Sequence, residues 1–312
     1  MIAATAIADG SAALCNVARA SRASIVLVDA GAVEGAAMPA STIEIGHGPS
    51  RDVLREPAMT RAEAIAGLEA GIALAISLSE PGLDLLALGS IGVGSEIAAA
   101  AILGAVENRR PSPISSALEK PTTISGAADS DEGFVSVDRL GADPAMREAA
   151  RLGRAWSGEP RAWSGEPLAW SGEPRVWSVE PLASSGEPRA WSGEPLASSG
   201  GWTGDPIELL VRFGGPETCV LAGLILGAAS LHVPVILDGH ATGAAAVVAM
   251  RFAPAVTGYL VAAHAGSPLH AQLLAVLGLE PLFAVGLGHG EGIGAAMVFP
   301  WIDQVAALAA LR

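Results

Sequence analysis

The sequence predicts an α/β fold: a mostly parallel, Rossmann-like sheet flanked by helices, with a small helical subdomain and a disordered repeat insert. Three observations support this prediction. Short runs of β-branched residues or leucine alternate with alanine-rich helical stretches, as they do in βαβ units. The short runs are apolar throughout, which is typical of strands buried on both faces of a parallel sheet. With 312 residues, 51% of them hydrophobic, the chain can bury a substantial core.

The predicted strands are short, and each is followed by a glycine, an acid or a histidine. They span residues 24–30, 83–88, 233–237, 259–263 and 282–285. The predicted helices span residues 3–20, 61–79, 96–106, 207–230, 241–252, 267–277 and 294–311. Two helix boundaries have clear signals. Thr60 and Glu63 form a capping box before the second helix, and Gly278 follows the last periodic residue of the sixth.

A seven-residue repeat of the type AWSGEPR runs from about residue 155 to residue 199. The proline in each period excludes a helix, because it removes a helix hydrogen bond and clashes with the preceding turn. The repeat has too little continuous apolar surface to offset the cost of ordering it, so we expect a flexible insert that folding does not require. Two roles stay open: a docking tract for an aromatic-binding partner, or an expanded repeat tolerated in a surface loop. The predicted division is therefore 1–145 and 205–312, two parts of one α/β domain, with the insert at 146–204.

The charge of the chain limits its partners. The net charge is −14, so the chain lacks the basic surface that nucleic acids and anionic membranes attract. The most apolar stretch, residues 219–237, contains His232 and Pro234 and is interpreted as a buried helix followed by a strand, not as a membrane span. The N-terminus has Asp9 and no basic region, so we expect no secretory signal. Two unpatterned cysteines suit a reducing cytoplasm and argue against a disulfide framework or a zinc site.

Residues that follow the predicted strands are the candidates for a site, because ligands bind beyond the carboxyl ends of parallel strands. The glycine loop 89–94, just before Ser95, could let a phosphate approach the backbone or could simply form a tight turn. Asp238 could cap a helix or hold a ribose hydroxyl. His264, with His270 six residues later, could be a packing residue or an acid–base group.

Glu291 is the sharpest local signal, because glycines enclose it just before the predicted C-terminal helix. Gly290 and Gly292 leave space on both sides of its side chain, and the helix N-terminus favours the ionised form. Such a carboxylate could remove a proton from a bound ligand. The alternative is a glutamate that only complements the helix dipole. The residues alone do not decide between these two roles.

Several segments, in order along the chain, resemble the nicotinate-nucleotide:dimethylbenzimidazole phosphoribosyltransferase family of cobalamin biosynthesis. The resemblance covers about residues 1–108 and 205–312. The matching segments are EPAMT at 56–60, the glycine loop at 89–94, Gly214-Gly215, Pro234 to Gly239, the pair His264 and His270, LGLEPL at 277–282 and GEGIGAA at 290–296. The resemblance implies an α/β phosphoribosyltransferase-like domain that assembles as a homodimer.

The activity that the resemblance implies is transfer of phosphoribose from nicotinate mononucleotide to 5,6-dimethylbenzimidazole. The products are α-ribazole phosphate and nicotinate, in the assembly of the cobalamin nucleotide loop. By the same resemblance, Glu291 is the catalytic base that takes the ring proton of the benzimidazole, and no cofactor or metal is needed. The substrate-binding residues carried over are Gly89, Gly92, Gly94, Ser95, Asp238, Gly239, Thr242, His264, Gly290 and Gly292.

The chain departs from the family pattern at this site. In the family loop GEMGIGNTT, Ser90 replaces the acid and Ser95-Glu96-Ile97 replaces Asn-Thr-Thr, which removes polar groups and adds a negative charge. The family segment DGFxSTAA reads DGHATGA from Asp238 onward, and we expect no counterpart of the early KPPGSLG and ADHG elements. One alternative is therefore a non-catalytic relative that binds a nucleotide, a base or a partner subunit. Another is an interaction protein that works through the repeat tract.

Overall fold

The computed structural model of the chain describes residues 2–33, 38–45, 48–107, 148, 151–152, 204–283, 285, 287 and 290–309. The repeat tract at 155–199, and with it most of the insert predicted at 146–204, lies outside the described residues. The statements below concern the described residues.

Helices and short strands are interspersed along both parts of the chain. The helices are α1 Ile2–Ala8, α2 Ala13–Ala20, α3 Arg61–Ser79, α4 Ser95–Glu107, α5 Pro206–Phe213, α6 Pro216–Ser230, α7 His240–Phe252, α8 Pro268–Leu277 and α9 Ile293–Ala309. A 3-10 helix spans Pro254–Tyr259. The strands are β1 Val28–Asp29, β2 Ile43–Glu44, β3 Leu86–Ala87, β4 Val235–Leu237 and β5 Leu260–Ala262.

The central sheet is parallel, and its strand order is β3–β4–β5. β4 is its middle strand and is completely buried. Successive side chains of a strand point to opposite faces. Accordingly, Val235 packs into the larger core with α4, α6 and α7, whereas Ile236 packs into a smaller cluster with Ala295 and Val298 of α9. The predicted parallel sheet flanked by helices is therefore confirmed.

The strand predicted at 24–30 is much shorter than expected and lies outside the central sheet. Only β1 forms, and it pairs in parallel with β2, which the sequence analysis did not predict. Ile25 and Val26 are exposed. The prediction assumed that an apolar run is buried on both faces, and this run is not.

Two of the predicted helices are each divided into two. The helix predicted at 3–20 is interrupted at Gly10, whose φ of +81° lies in the left-handed region. The helix predicted at 207–230 is interrupted at Gly214 and Gly215. Pro216 then begins α6 at the first helical position, where its missing N–H needs no partner.

The two predicted helix boundaries are confirmed. The backbone N–H of Glu63 donates to the Thr60 hydroxyl over 3.2 Å, and the backbone N–H of Thr60 donates to the Glu63 carboxylate over 2.6 Å. Gly278 ends α8 in the left-handed conformation. Close to the N-terminus, α1 and α2 form the small helical part of the fold. The Ser21 hydroxyl after α2 donates to the Ala296 carbonyl of α9 over 2.9 Å.

The helices α3 and α6 pack with their backbones in close contact. Gly71 of α3 lies against Val220 of α6, and Gly223 of α6 lies against Leu68 of α3. A Cβ atom on either glycine would overlap the opposing backbone carbonyl. By length and composition alone, α3 could cross a membrane, and the core helix of a soluble protein passes the same test. The buried residues of α3 are Ala64, Leu68, Gly71, Leu74 and Ala75, and the rest of the helix is half-buried or exposed.

We expect Gly71→Ala to lower the free energy of unfolding by about 1–3 kcal/mol, because the added methyl group must push α3 and α6 apart. Without that contact, glycine to alanine in a helix stabilises by about 1 kcal/mol, so the sign of the change is diagnostic. Urea unfolding measures it. The control is Gly258→Ala, since nothing lies within 4 Å of a Cβ atom there. A Gly71→Ala variant as stable as the parent chain would contradict the close packing.

Candidate active site

Three loops meet at the carboxyl end of the central sheet: the loop after β3, the loop after β4 and the segment before α9. Gly89 lies so close to Gly292 that a Cβ atom on Gly89 would overlap the Gly292 backbone nitrogen. A Cβ atom on Gly239 would lie 2.5 Å from the Cα of Gly290. The backbone N–H of Ser90 donates to the Gly290 carbonyl over 3.0 Å. The loops therefore touch through their backbones.

The backbone conformation is a second reason why glycine is required at these contacts. Gly239, Gly290 and Gly292 have φ values of +86°, +62° and +92°. Residues with a side chain rarely adopt such values. Both the conformation and the lack of space thus exclude other residues at Gly239 and Gly290.

A pocket of about 260 Å³ opens where the three loops meet. Its lining residues lie at or just before the starts of α4, α7 and α9, where backbone N–H groups lack helical partners and carry partial positive charge. This end of the sheet therefore suits an anionic group. The lining residues are Ser90, Ile91, Gly92, Ser95, Glu96, His240, Ala241, Gly290 and Glu291.

Glu291 is half-buried and lines the pocket two residues before α9 begins. Its neighbours Gly290 and Gly292 contact the loops after β4 and β3. These contacts fix the backbone around Glu291 while its side chain reaches the pocket. The position can bring a proton acceptor against a bound ligand, and it is also compatible with a role at the dipole of α9.

A second polar cluster joins α4 to α7 at the pocket. Nε2 of His240 lies 3.2 Å from Oγ of Ser95 and 3.9 Å from a carboxylate oxygen of Glu96. Burial lowers the pKa of His240, and the Glu96 carboxylate partly opposes that change. The hydroxyl and the carboxylate approach the same ring nitrogen. The cluster is therefore not a Ser-His-acid triad, in which the acid holds the other nitrogen.

Asp238 and His264 form a buried pair at the ends of β4 and β5. Oδ1 of Asp238 lies 2.7 Å from Nε2 of His264, and both side chains are about 1% exposed. The other carboxylate oxygen of Asp238 accepts a hydrogen bond from the backbone N–H of Ala295, in the first turn of α9, over 3.3 Å. Gly294 lies against the His264 ring with no room for a Cβ atom. The pair thus attaches the start of α9 to the sheet.

His270 packs edge-on against His264, with 6.0 Å between the ring centroids. Burial and the imidazoles of His264 and His240 lower the pKa of His270 to about 4, so its ring is neutral at pH 7. Neither ring nitrogen of His270 has a hydrogen-bond partner among the described residues. These features favour packing over acid–base chemistry for His270.

The predicted site residues are brought together by the fold, at different depths. Four line the pocket: Gly92, Ser95, Gly290 and Glu291. Four shape its loops: Gly89, Gly94, Gly239 and Gly292. Three are buried and bonded to protein groups: Asp238, Thr242 and His264. In the described part of the chain, no group of three or more His, Cys, Asp or Glu side chains is arranged to hold a metal ion.

Sequence reasoning did not place Glu96 and His240 in the site together. In the sequence they belong to separate segments, which both depart from the family pattern. The available signal was their position, since each lies within two residues of a glycine turn that follows a strand.

We expect Asp238→Asn to lower the free energy of unfolding by about 1–3 kcal/mol, because an amide cannot accept hydrogen bonds at both of its terminal atoms. The amide oxygen can keep the Ala295 N–H, but the amide NH2 then bonds Nε2 of His264 only if the ring carries its proton on Nδ1, which has no partner among the described residues. Urea unfolding measures the change. The control, Asp303→Asn on the exposed side of α9, should stay within about 0.5 kcal/mol of the parent chain. Equal losses in both variants would contradict the attachment of α9 through Asp238.

Known proteins resemble this chain over most of its length. A family model described as phosphoribosyltransferase matches residues 1–127 and 196–311. The nicotinate-nucleotide–dimethylbenzimidazole phosphoribosyltransferase of Halalkalibacterium halodurans is 30% identical over 303 residues, which cover 96% of this chain and 68% of that protein. The protein of the same name from Desulforudis audaxviator is 29% identical, covering 96% of this chain and 69% of its own length.

A solved structure supports the same fold. The crystal structure of the nicotinate-nucleotide–dimethylbenzimidazole phosphoribosyltransferase from Thermus thermophilus has a TM-score of 0.67 with this chain at 24% sequence identity. The superposition covers 97% of this chain and 72% of that one. The family model and the 30% identical relative show that the chain belongs to the nicotinate-nucleotide–dimethylbenzimidazole phosphoribosyltransferase family.

Proposed function

We propose that the chain transfers phosphoribose from nicotinate mononucleotide to 5,6-dimethylbenzimidazole, giving α-ribazole phosphate and nicotinate for cobalamin assembly. Membership of the family supports this reaction. The observation on which the proposal rests most is the place of Glu291, a carboxylate held by glycine contacts at the pocket where three loops meet.

In the proposed mechanism, Glu291 accepts the N–H proton of the benzimidazole. The opposite ring nitrogen then attacks the anomeric carbon of the ribose, and the bond from that carbon to the pyridinium nitrogen breaks. The electron pair of this bond returns to the pyridine ring, so nicotinate leaves with a neutral ring and needs no acid to assist it. Holding both substrates in one pocket supplies a large part of the rate increase.

The residues around Glu291 have supporting roles in this proposal. Gly92 and Ser95 line the donor pocket, and Gly89, Gly94, Gly239 and Gly292 keep the loops close enough to form it. The buried Asp238, Thr242 and His264 act from behind the pocket, by fixing the loop after β4 and the start of α9. The pairing of β3 with β4 supports one α/β domain built from residues 1–145 and 205–312, with 146–204 inserted between them.

We expect Glu291→Gln to lower turnover by about 10²–10⁴-fold, because the amide keeps the shape of the side chain and removes the proton acceptor. Release of nicotinate from the mononucleotide in the presence of dimethylbenzimidazole measures turnover, and thermal unfolding is followed on the same samples. The control is Glu44→Gln, an exposed glutamate on β2.

Two outcomes would overturn parts of this proposal. An active Glu291→Gln variant that is less stable by about 0.3–1 kcal/mol would assign Glu291 to the helix dipole alone. A parent chain that binds the mononucleotide without releasing nicotinate would favour the non-catalytic alternative.

We also propose that two copies of the chain associate through α9. Met297, Trp301, Val305 and Leu308 follow one another at helical spacing and are 38–66% exposed. Exposed apolar stripes of this kind mark protein interfaces. The same stripe on a second copy is self-complementary about a twofold axis. A cytoplasmic homodimer without nucleic-acid or membrane partners is consistent with the acidic charge and with the packing of α3 on α6.

We expect the parent chain to be dimeric at micromolar concentration and Val305→Glu to be monomeric, because a twofold axis brings two like charges into an apolar contact. Light scattering across a concentration series measures the mass. Val33→Glu is the matched control, since Val33 is 61% exposed and Val305 is 64% exposed. A monomeric parent chain, or dissociation of both variants, would contradict an interface on α9.

A further inference from the structure

The pocket has an unusual balance of charge for a site that receives a phosphorylated donor. Among the described residues that line it, Glu96 and Glu291 have carboxylates, and His240 has a side chain that can become a cation. Phosphate monoesters carry nearly two negative charges at pH 7. A phosphate that enters this pocket needs hydrogen-bond donors and positive charge that outweigh the two carboxylates.

His240 lies at the part of the pocket where such hydrogen-bond donors are needed. It is the first residue of α7, and its ring reaches Ser95, the first residue of α4, over 3.2 Å. The imidazole therefore bridges the N-termini of two helices, whose first residues line the same pocket and whose first-turn N–H groups lack helical partners. Gly239, with its φ of +86°, turns the chain so that Asp238 is buried and His240 reaches the pocket.

Among the described residues, the titratable groups around His240 come from several elements of the fold. Glu96 of α4 favours the protonated ring, whereas His270 of α8 is neutral at pH 7 and adds no charge there. Glu291 lies across the pocket, and Asp238 is occupied by His264 and Ala295. Burial is the largest influence and lowers the pKa of His240, so the ring is mostly neutral in the empty pocket at pH 7.

We propose that His240 binds the phosphate group of the donor mononucleotide and takes up a proton as it does so. This inference rests on the proposed function, because it assigns a residue to the donor of that reaction. A phosphate beside the ring adds close to two negative charges, which favour the imidazolium over the neutral imidazole. The protonated ring then makes a charge-assisted hydrogen bond to the phosphate and offsets Glu96.

The proposed proton uptake makes the affinity for the mononucleotide depend on pH. The pKa of His240 is higher with phosphate bound than in the empty pocket, so binding takes up protons between those two values. Within that window the dissociation constant falls as the pH falls, by at most about tenfold per pH unit. A donor without a phosphate group does not produce this effect through His240.

The test is titration calorimetry with nicotinate mononucleotide and with the corresponding riboside, which lacks the phosphate. Titrations at pH 6.0, 7.0 and 8.0, in two buffers of different ionisation enthalpy, give both affinity and the number of protons taken up. His240→Gln removes the imidazole and keeps a hydrogen-bonding group near Nε2. His232→Asn is the control, because His232 is exposed, and its φ of +61° suits asparagine.

We expect His240→Gln to weaken mononucleotide binding at pH 6.0 by about tenfold to a hundredfold, the effect of losing a hydrogen bond between charged groups. We also expect it to remove most of the proton uptake and to leave riboside binding unchanged. His232→Asn should behave as the parent chain does. Because the phosphate itself titrates near pH 6, the difference between parent and variant is the decisive quantity.

Equal mononucleotide affinity and proton uptake in parent and His240→Gln would overturn the assignment of His240, and nicotinate release would still test the proposed function separately. Weakening of the riboside to the same extent would also overturn it, because His240 would then act on the ring or the ribose. Failure of the parent chain to bind the mononucleotide at all would remove both proposals.

Discussion

The site depends on direct contact between backbones that only glycine allows. Gly89 touches Gly292, and Gly239 touches Gly290, at distances that leave no room for a Cβ atom. These two contacts join the ends of β3 and β4 to the segment before α9. A residue with a side chain at Gly89, Gly239 or Gly290 would separate the loops and move Glu291 away from the helix N-termini. The glycines therefore set the geometry, and the side chains that do chemistry depend on it.

The buried pair Asp238 and His264 supports the same geometry from the interior. β4 is fully buried as the middle strand of the sheet, between β3 and β5. Asp238, the residue that follows it, is therefore surrounded by other parts of the fold. Asp238 uses one oxygen for His264, after β5, and the other for the backbone of α9. One side chain thus joins two strands and a helix, and a buried carboxylate without those partners would be costly. His240, two residues after Asp238, lines the pocket instead.

The sequence predicted the parts of this structure in which local pattern and burial agree. β4, the Thr60 capping box and the glycines around Glu291 were predicted because each is set by neighbouring residues. The strand at 24–30 was mispredicted because apolar character does not reveal whether both faces are covered, and the two-residue strand β2 was not predicted. The contact between Ser95 and His240 joins residues 145 positions apart. No local pattern specifies such a contact, so it became visible only when the sheet brought both helix starts to one pocket.

The Glu96 and His240 pair also bears on how a base and a phosphate can share one small pocket. A lysine or arginine in place of His240 would be a cation at all times. From across the pocket it would attract the Glu291 carboxylate and make it a weaker proton acceptor. A histidine that burial keeps neutral has no such effect in the empty pocket. Its positive charge appears only with the phosphate, whose negative charge offsets it, so the field at Glu291 changes little. Replacing His240 by lysine or arginine would therefore raise the affinity for the mononucleotide and make Glu291 a weaker proton acceptor.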